Sequence, residues 1–300
     1  MSATIAAHAG GAGEAVGWNA NPLLIVAAFV VAAAYARRAA LLRAAGRGMP
    51  VWKQLSFYLG VTVFALTLVS PLDSLGESRL FYAHMAQHLA MGELAPLLIL
   101  LGLNGPMLRP LLAVAAVRRL RWALNPLVAL PLWVINLYGW HLPVLYELAL
   151  RNDLIHAIEH LSFFTAGMLM WGALIEPLPG PTWFGSGAKA IYVLTVRALG
   201  CAILGNILIW AGTPFYPYYR GGEAVSGIDP LIDQQIGGAI MLVWGAGITV
   251  LLFSWVFLRW LREAELRQRL LDAGDEERVA TRAARFGRRA PALRRSPRSP

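Results

Sequence analysis

The chain has 300 residues, 57% of them hydrophobic and only 14% charged, with a mean hydropathy of +0.55. That balance is too apolar for a soluble domain with a solvated surface and places the chain among integral membrane proteins. The net charge of +9 does not mark a nucleic-acid binder, because from Arg259 onward twelve Arg stand against six Asp or Glu, which leaves only +3 for the rest; a basic tail beside a membrane acts on orientation and on anionic lipid.

A bilayer-spanning helix needs roughly 20 mostly apolar residues, and seven stretches qualify, at about 22–36, 56–70, 84–104, 124–141, 156–175, 188–211 and 235–260. The expected fold is all-α, a polytopic membrane bundle of seven helices. A short lead (1–21) precedes the membrane domain (22–262), and a basic tail (263–300) without apolar periodicity is expected to be disordered. The lead holds no Lys or Arg, whereas the first loop carries Arg37, Arg38, Arg43, Arg47 and Lys53. The positive-inside rule then puts the N-terminus outside and the C-terminus inside. Arg109, Arg118, Arg119, Arg121 and Lys189 fall in inner loops, and Arg79, Arg151 and Arg220 in outer ones. The lead lacks the basic start of a cleavable signal peptide, so the first helix reads as an anchor.

In chain order, the third stretch opens with His84 and His88, the fourth closes on His141, and the fifth opens with His156 and His160; of the six histidines only His8 lies elsewhere. Each i, i+4 pair projects both imidazoles from one helix face. Met91 continues the His84/His88 face, Glu159 sits between the second pair, and the seventh stretch opens with Asp233, Gln234 and, a little further on, Met241. Polar residues within spans are costly and mark function, so His84, His88, His141, His156, His160 and Met91 are the candidate metal ligands, supported by Glu159, Asp233, Gln234 and Met241. A lone histidine at a helix end is ordinarily interfacial and methionine is a common core filler, so the case rests on convergence at one membrane level. The single cysteine, Cys201, excludes an intramolecular disulfide and a Cys-x-x-Cys metal motif.

Glu93 and Arg197 each lie about nine residues into their helices and approach the midplane, where a structural ion pair between them would lower the cost of burying either charge. The glycines of the seventh stretch, Gly237, Gly238, Gly245 and Gly247, permit close helix contact. Pro96, Pro126 and Pro131 start or kink helices.

Six short motifs, in this order, resemble the polytopic cytochrome c oxidase assembly factor family called CtaG: Ser70-Pro71-Leu72-Asp73, His84-Met85-Ala86-Gln87-His88, Trp140-His141-Leu142-Pro143, His156 to Trp171 with Glu159-His160-Leu161, Thr213-Pro214-Phe215-Tyr216, and Asp233-Gln234-Gln235-Ile236-Gly237-Gly238. They cover about residues 55–260. The family name is shared with an unrelated single-span copper chaperone whose Cys pair is absent here. The resemblance implies a seven-helix protein of the bacterial inner membrane that matures a haem-copper oxidase at its copper step. Its partners would be oxidase subunits and a periplasmic copper donor, with membrane lipid around it and no nucleic acid. The residue chemistry accommodates copper, since imidazole binds it in both oxidation states and thioether favours Cu(I). Two other readings stay open, a haem-binding electron carrier using axial histidines such as His88 and His160, and a zinc-dependent membrane hydrolase with Glu159 or Asp233 as acid/base. The first reading makes the protein a non-enzymatic factor.

Overall fold

The computed structural model describes residues 17–19, 21–115, 119–178, 180–221 and 226–286, and every regular element among them is helical. Five helices are long and apolar enough to cross a membrane, at Pro22–Ala44, Val51–Val69, Asp153–Ile175, Ser186–Trp210 and Pro230–Asp272. Two bent pairs, Phe81–Leu101 with Gly105–Ala113 at 105° and Pro126–Trp140 with Pro143–Leu150 at 72°, make seven when each pair counts as one span. The chain is therefore a multi-pass, all-helical membrane protein, and the two bent pairs occupy the third and fourth expected stretches.

The helices are α1 (Pro22–Ala44), α2 (Val51–Val69), α3 (Pro71–Ser78), α4 (Phe81–Leu89), α5 (Ala95–Leu101), α6 (Gly105–Ala113), α7 (Pro126–Trp140), α8 (Pro143–Leu150), α9 (Asp153–Ile175), α10 (Ser186–Arg197), α11 (Ile203–Trp210), α12 (Pro230–Asp272) and α13 (Glu277–Phe286). Proline sets many of the boundaries. Pro71, Pro126 and Pro143 occupy first positions, where a missing N–H costs nothing. Leu142, the residue before Pro143, is extended (ψ 128°), which breaks α7 from α8 just after His141. Asn104 caps α6 by accepting from Met107 N–H at 2.9 Å.

Two π turns join helices that would otherwise run straight. Ala90–Leu94 links α4 to α5. Pro96 has no N–H to give Gly92, four residues back, and its ring crowds that carbonyl, so the turn widens there. Ala198–Ala202 links α10 to α11, and Gly200 within it takes a non-helical ψ of −105°; the Leu199 carbonyl accepts from Tyr138 Oη at 2.6 Å.

The chain separates into two compact units, Met1–Gly180 with Val196–Ala246, and Pro181–Thr195 with Gly247–Pro300. In the first, Tyr35 stacks on Phe57 at 3.8 Å and donates to the Gly102 carbonyl at 2.9 Å, tying α1 to α2 and α5. In the second, Ser186 Oγ donates to Glu263 at 2.7 Å and Arg285 donates to the Phe184 carbonyl at 2.7 Å.

The expectation of a tail without structure from residue 263 does not hold as far as residue 286. Residues 263–272 continue α12 and residues 277–286 form α13. Sparse apolar residues and charge both act there: Leu270 and Ala280 are buried, and Arg259 pairs with Glu263 at 2.7 Å and Arg269 with Glu265 at 2.5 Å, each at i, i+4. Residues 287–300, and most of the lead, lie outside the described residues.

Candidate metal centre

The centre is built where the start of α4 faces the start of α9. His84 and His88 project from one face of α4 with ring centroids 4.1 Å apart, and His156 and His160 from one face of α9 at 4.0 Å. Across the gap His84 meets His156 at 5.6 Å and His88 meets His160 at 5.3 Å. All four rings are buried, and Glu159 is 1% exposed.

Two glycines allow this approach. A Cβ on Gly167 would overlap the Gly92 carbonyl, the one that Pro96 cannot satisfy, so α9 lies with its backbone directly on the π turn. On the other side a Cβ on Gly76 of α3 would stand 2.9 Å from His84 Cα and N.

The start of α4 has no side-chain cap of its own. Asp233 supplies one from α12, its Oδ2 accepting from Phe81 N–H at 2.7 Å and its Oδ1 from Tyr82 N–H at 2.9 Å. Gln234 accepts from Phe215 N–H at 2.7 Å and donates to the Leu208 carbonyl at 3.2 Å, which fixes the Thr213–Tyr216 turn. Both residues therefore hold the frame of the centre rather than face it. The turn in its place delivers Tyr216, whose hydroxyl donates to the His141 carbonyl at 2.9 Å, while Tyr219 donates to the Gly76 carbonyl at 2.8 Å. Burial raises both phenols above their ordinary range, so each remains a neutral donor.

One ligand atom each from His84, His88, His156 and Glu159 lie within 4.8 Å of one another, all four residues being buried. Both nitrogens of His84 and His88, Nε2 of His156 and of His160, and both oxygens of Glu159 have no hydrogen-bond partner. Buried polar atoms are nearly always paired, so this concentration of orphans sets the four apart as residues that could hold a metal ion. A tetrahedral ion with bonds of about 2.0–2.1 Å places its ligand atoms roughly 3.3 Å apart, so small side-chain rotations would close the four. His160 is adjacent but outside that four-membered set.

Glu77, on α3, is a residue the sequence reading missed. Its Oε1 lies 2.8 Å from His156 Nδ1, which fixes that nitrogen as the protonated one and leaves Nε2 to bind. Replacing Glu77 by Ala should lower metal affinity about 10–100-fold with little change in melting temperature, since the side chain is 38% exposed. A metal titration beside a thermal melt checks this, and unchanged affinity would remove Glu77 from the centre.

His141 stands apart. Its Nδ1 donates to the Leu137 carbonyl at 2.7 Å, so Nε2 carries the free lone pair. It lines a cavity of about 30 Å³ with His88, Met85 and Met241. Met91, the expected continuation of the His84/His88 face, is fully buried in the π turn and does not line that cavity. The extra residue in the turn shifts the face, which is why i+7 counting from His84 reaches a methionine that does not line the cavity.

Nor do Glu93 and Arg197 meet in the expected direct ion pair. Glu93 accepts from Trp244 Nε1 at 3.2 Å and from Cys201 Sγ at 3.7 Å, whereas the half-buried Arg197 keeps one guanidinium nitrogen without a hydrogen-bond partner. Glu93 lies within one π turn and Arg197 directly before the other, and the guanidinium acts on the carboxylate through space without a contact within 4 Å.

A model of the family described as cytochrome c oxidase caa3 assembly factor (Caa3_CtaG) matches residues 33–263. The chain belongs to this family. The match runs from α1 into α12 and includes every residue of the centre. Uncharacterized proteins of Mycobacterium bovis and Mycobacterium tuberculosis are each 24% identical over 241 residues, 74% of this chain and 36% of their own. One of Mycobacterium leprae is 24% identical over 249 residues, 76% of this chain and 37% of its own. The chain thus spans little more than a third of the length of the curated relatives it matches. No solved structure matches it.

Proposed function

We propose that this protein takes up a copper ion at His84, His88, His156 and Glu159 and hands it to a cytochrome c oxidase subunit during assembly. The observation that carries the reading is the set of four buried, mutually close ligand groups with unpartnered atoms, in a chain of the oxidase assembly family. Three imidazoles and a carboxylate suit copper or zinc alike, and the copper content of the oxidase favours copper as the cargo. With the N-terminus outside, the starts of α4 and α9 lie at the outer membrane level, where a periplasmic donor would deliver the ion.

The geometry favours binding over the two other chemistries. His88 and His160 rings 5.3 Å apart leave no slab for a porphyrin between them, and the neighbouring cavity is only about 30 Å³. A hydrolase needs room for substrate beside its metal-bound water, whereas His84 is 0% exposed and Glu159 is itself in the ligand set.

Replacing His88 by Ala should leave the protein in the membrane, because one imidazole contributes little to seven apolar spans. Active oxidase should fall under copper limitation and recover in part when copper is added, since mass action compensates for a weakened site. Membrane abundance, oxidase activity, metal content and the optical spectrum of the purified protein are measured together. Full oxidase activity in copper-poor medium would sink the proposal, and a Soret band from bound haem would replace it.

A further inference from the structure

Beside the four-group centre, the cavity of about 30 Å³ is lined by Met85 of α4, His88, His141 and Met241 of α12, with Trp133 and Phe163 among its apolar walls. Its volume admits one water-sized guest. His88 is 5% and His141 8% exposed, and each has an unpartnered nitrogen, Nε2 in His141 and both nitrogens in His88. Met85 and Met241 are 1% and 2% exposed.

We propose that this cavity is a second metal station, selective for a soft monovalent ion of the Cu(I) class, with His88, His141, Met85 and Met241 as its ligands. The inference rests on the reading of the chain as a metal-handling assembly factor, but its chemistry differs from that of the first centre. Thioether sulfur is polarizable and prefers Cu(I) to harder divalent ions. All four donors are neutral. Desolvation cost scales with the square of the charge, so a divalent ion costs about four times as much to bury as a monovalent one. Glu93 is the one acid in this lining and its carboxylate already accepts two hydrogen bonds, from Trp244 and Cys201, whereas both oxygens of Glu159 in the first centre are unpartnered. His88 belongs to both sets, so an ion can exchange one ligand at a time between them without passing through water. The chain thereby holds a hard-tolerant and a soft station in contact, an arrangement suited to stepwise transfer.

The test uses the full-length protein in detergent with Ag(I), a redox-inert probe for Cu(I), and Zn(II) as the probe for the first centre. The double variant Met85→Leu/Met241→Leu, close in volume to the natural pair, should lower Ag(I) affinity by about tenfold or more while Zn(II) affinity stays near wild type. His156→Ala should do the reverse. Should the double variant lose Zn(II) binding as well, which would signal misfolding, His141→Ala decides: it should weaken Ag(I) alone. Ag(I) bound as tightly by the double variant and by His141→Ala as by the wild type overturns the second station. Zn(II) failing to bind the wild type while Ag(I) binds through Met85 and Met241 overturns the first-centre reading and leaves this one standing.

Discussion

Alanine in place of Gly167 should cost the protein most of its folded yield and its metal binding together. The added methyl would overlap the Gly92 carbonyl, and its next neighbours are Gly92 C at 2.9 Å and Pro96 Cγ at 3.1 Å. None of these atoms can rotate away, because two belong to backbone and one to a proline ring. The helices would have to part by more than about 1 Å to restore ordinary contact. Overpacking of side chain on side chain typically costs about 1–3 kcal/mol, and a clash of backbone on backbone lies at or above the top of that range. The helix-propensity gain of Ala over Gly, about 1 kcal/mol, does not offset it. Separation of α4 from α9 opens the His84–His156 and His88–His160 gaps, so affinity should fall even in protein that still folds. Gly139 provides the control, since a Cβ there meets nothing within 4 Å; Gly139→Ala should be neutral or slightly stabilising. Thermal melts and metal titrations of both variants check the contrast. Equal behaviour of the two would mean that the Gly167 crossing does not set the spacing of the site.

The parts of this molecule that follow helical periodicity are legible in its sequence. The i, i+4 spacing of His84 with His88 and of His156 with His160 is enough to place each pair on one helix face, and the apolar stretches are enough to show a multi-pass helical bundle. The parts that depend on departures from the ideal helix are not. Pro96 signals a disturbance, yet whether it becomes a kink or a π turn depends on what Gly92 packs against, and that partner, Gly167, is far away in the chain. The same turn keeps Met91 out of the cavity lining and leaves Glu93 near Arg197 without a direct ion pair. Glu77 carries no local signal at all: it is an ordinary acid in a short helix, and only the folding of α3 against α9 brings it to His156. Likewise nothing in spacing divides the histidines into two sets that share His88. That division follows from the break between Trp140 and Pro143, which sets His141 to one side with its Nδ1 already committed to Leu137.

Removing the Asp233 carboxylate should be nearly as damaging as the Gly167 substitution, by a different route. Asp233 is 2% exposed and accepts from two backbone N–H groups at the uncapped start of α4, about 150 residues away in the chain. A negative charge at a helix N-terminus is stabilised by the orphan N–H groups and the aligned peptide dipoles. Alanine would leave one buried and one part-buried donor unsatisfied, the buried one alone at about 1–3 kcal/mol, so a loss of a few kcal/mol is expected, with fraying of the first turn of α4. His84 lies three residues from Phe81, and its position would be the first to blur. Asp233→Asn keeps one acceptor but turns an NH₂ group toward the other donor, so it should fall between wild type and Ala in melting temperature. Metal affinity should follow stability across the three proteins, because Asp233 acts on the ligands only by placing them. A variant that melts like wild type yet fails to bind metal would show instead that Asp233 is itself a ligand, and that frame and centre are not separate.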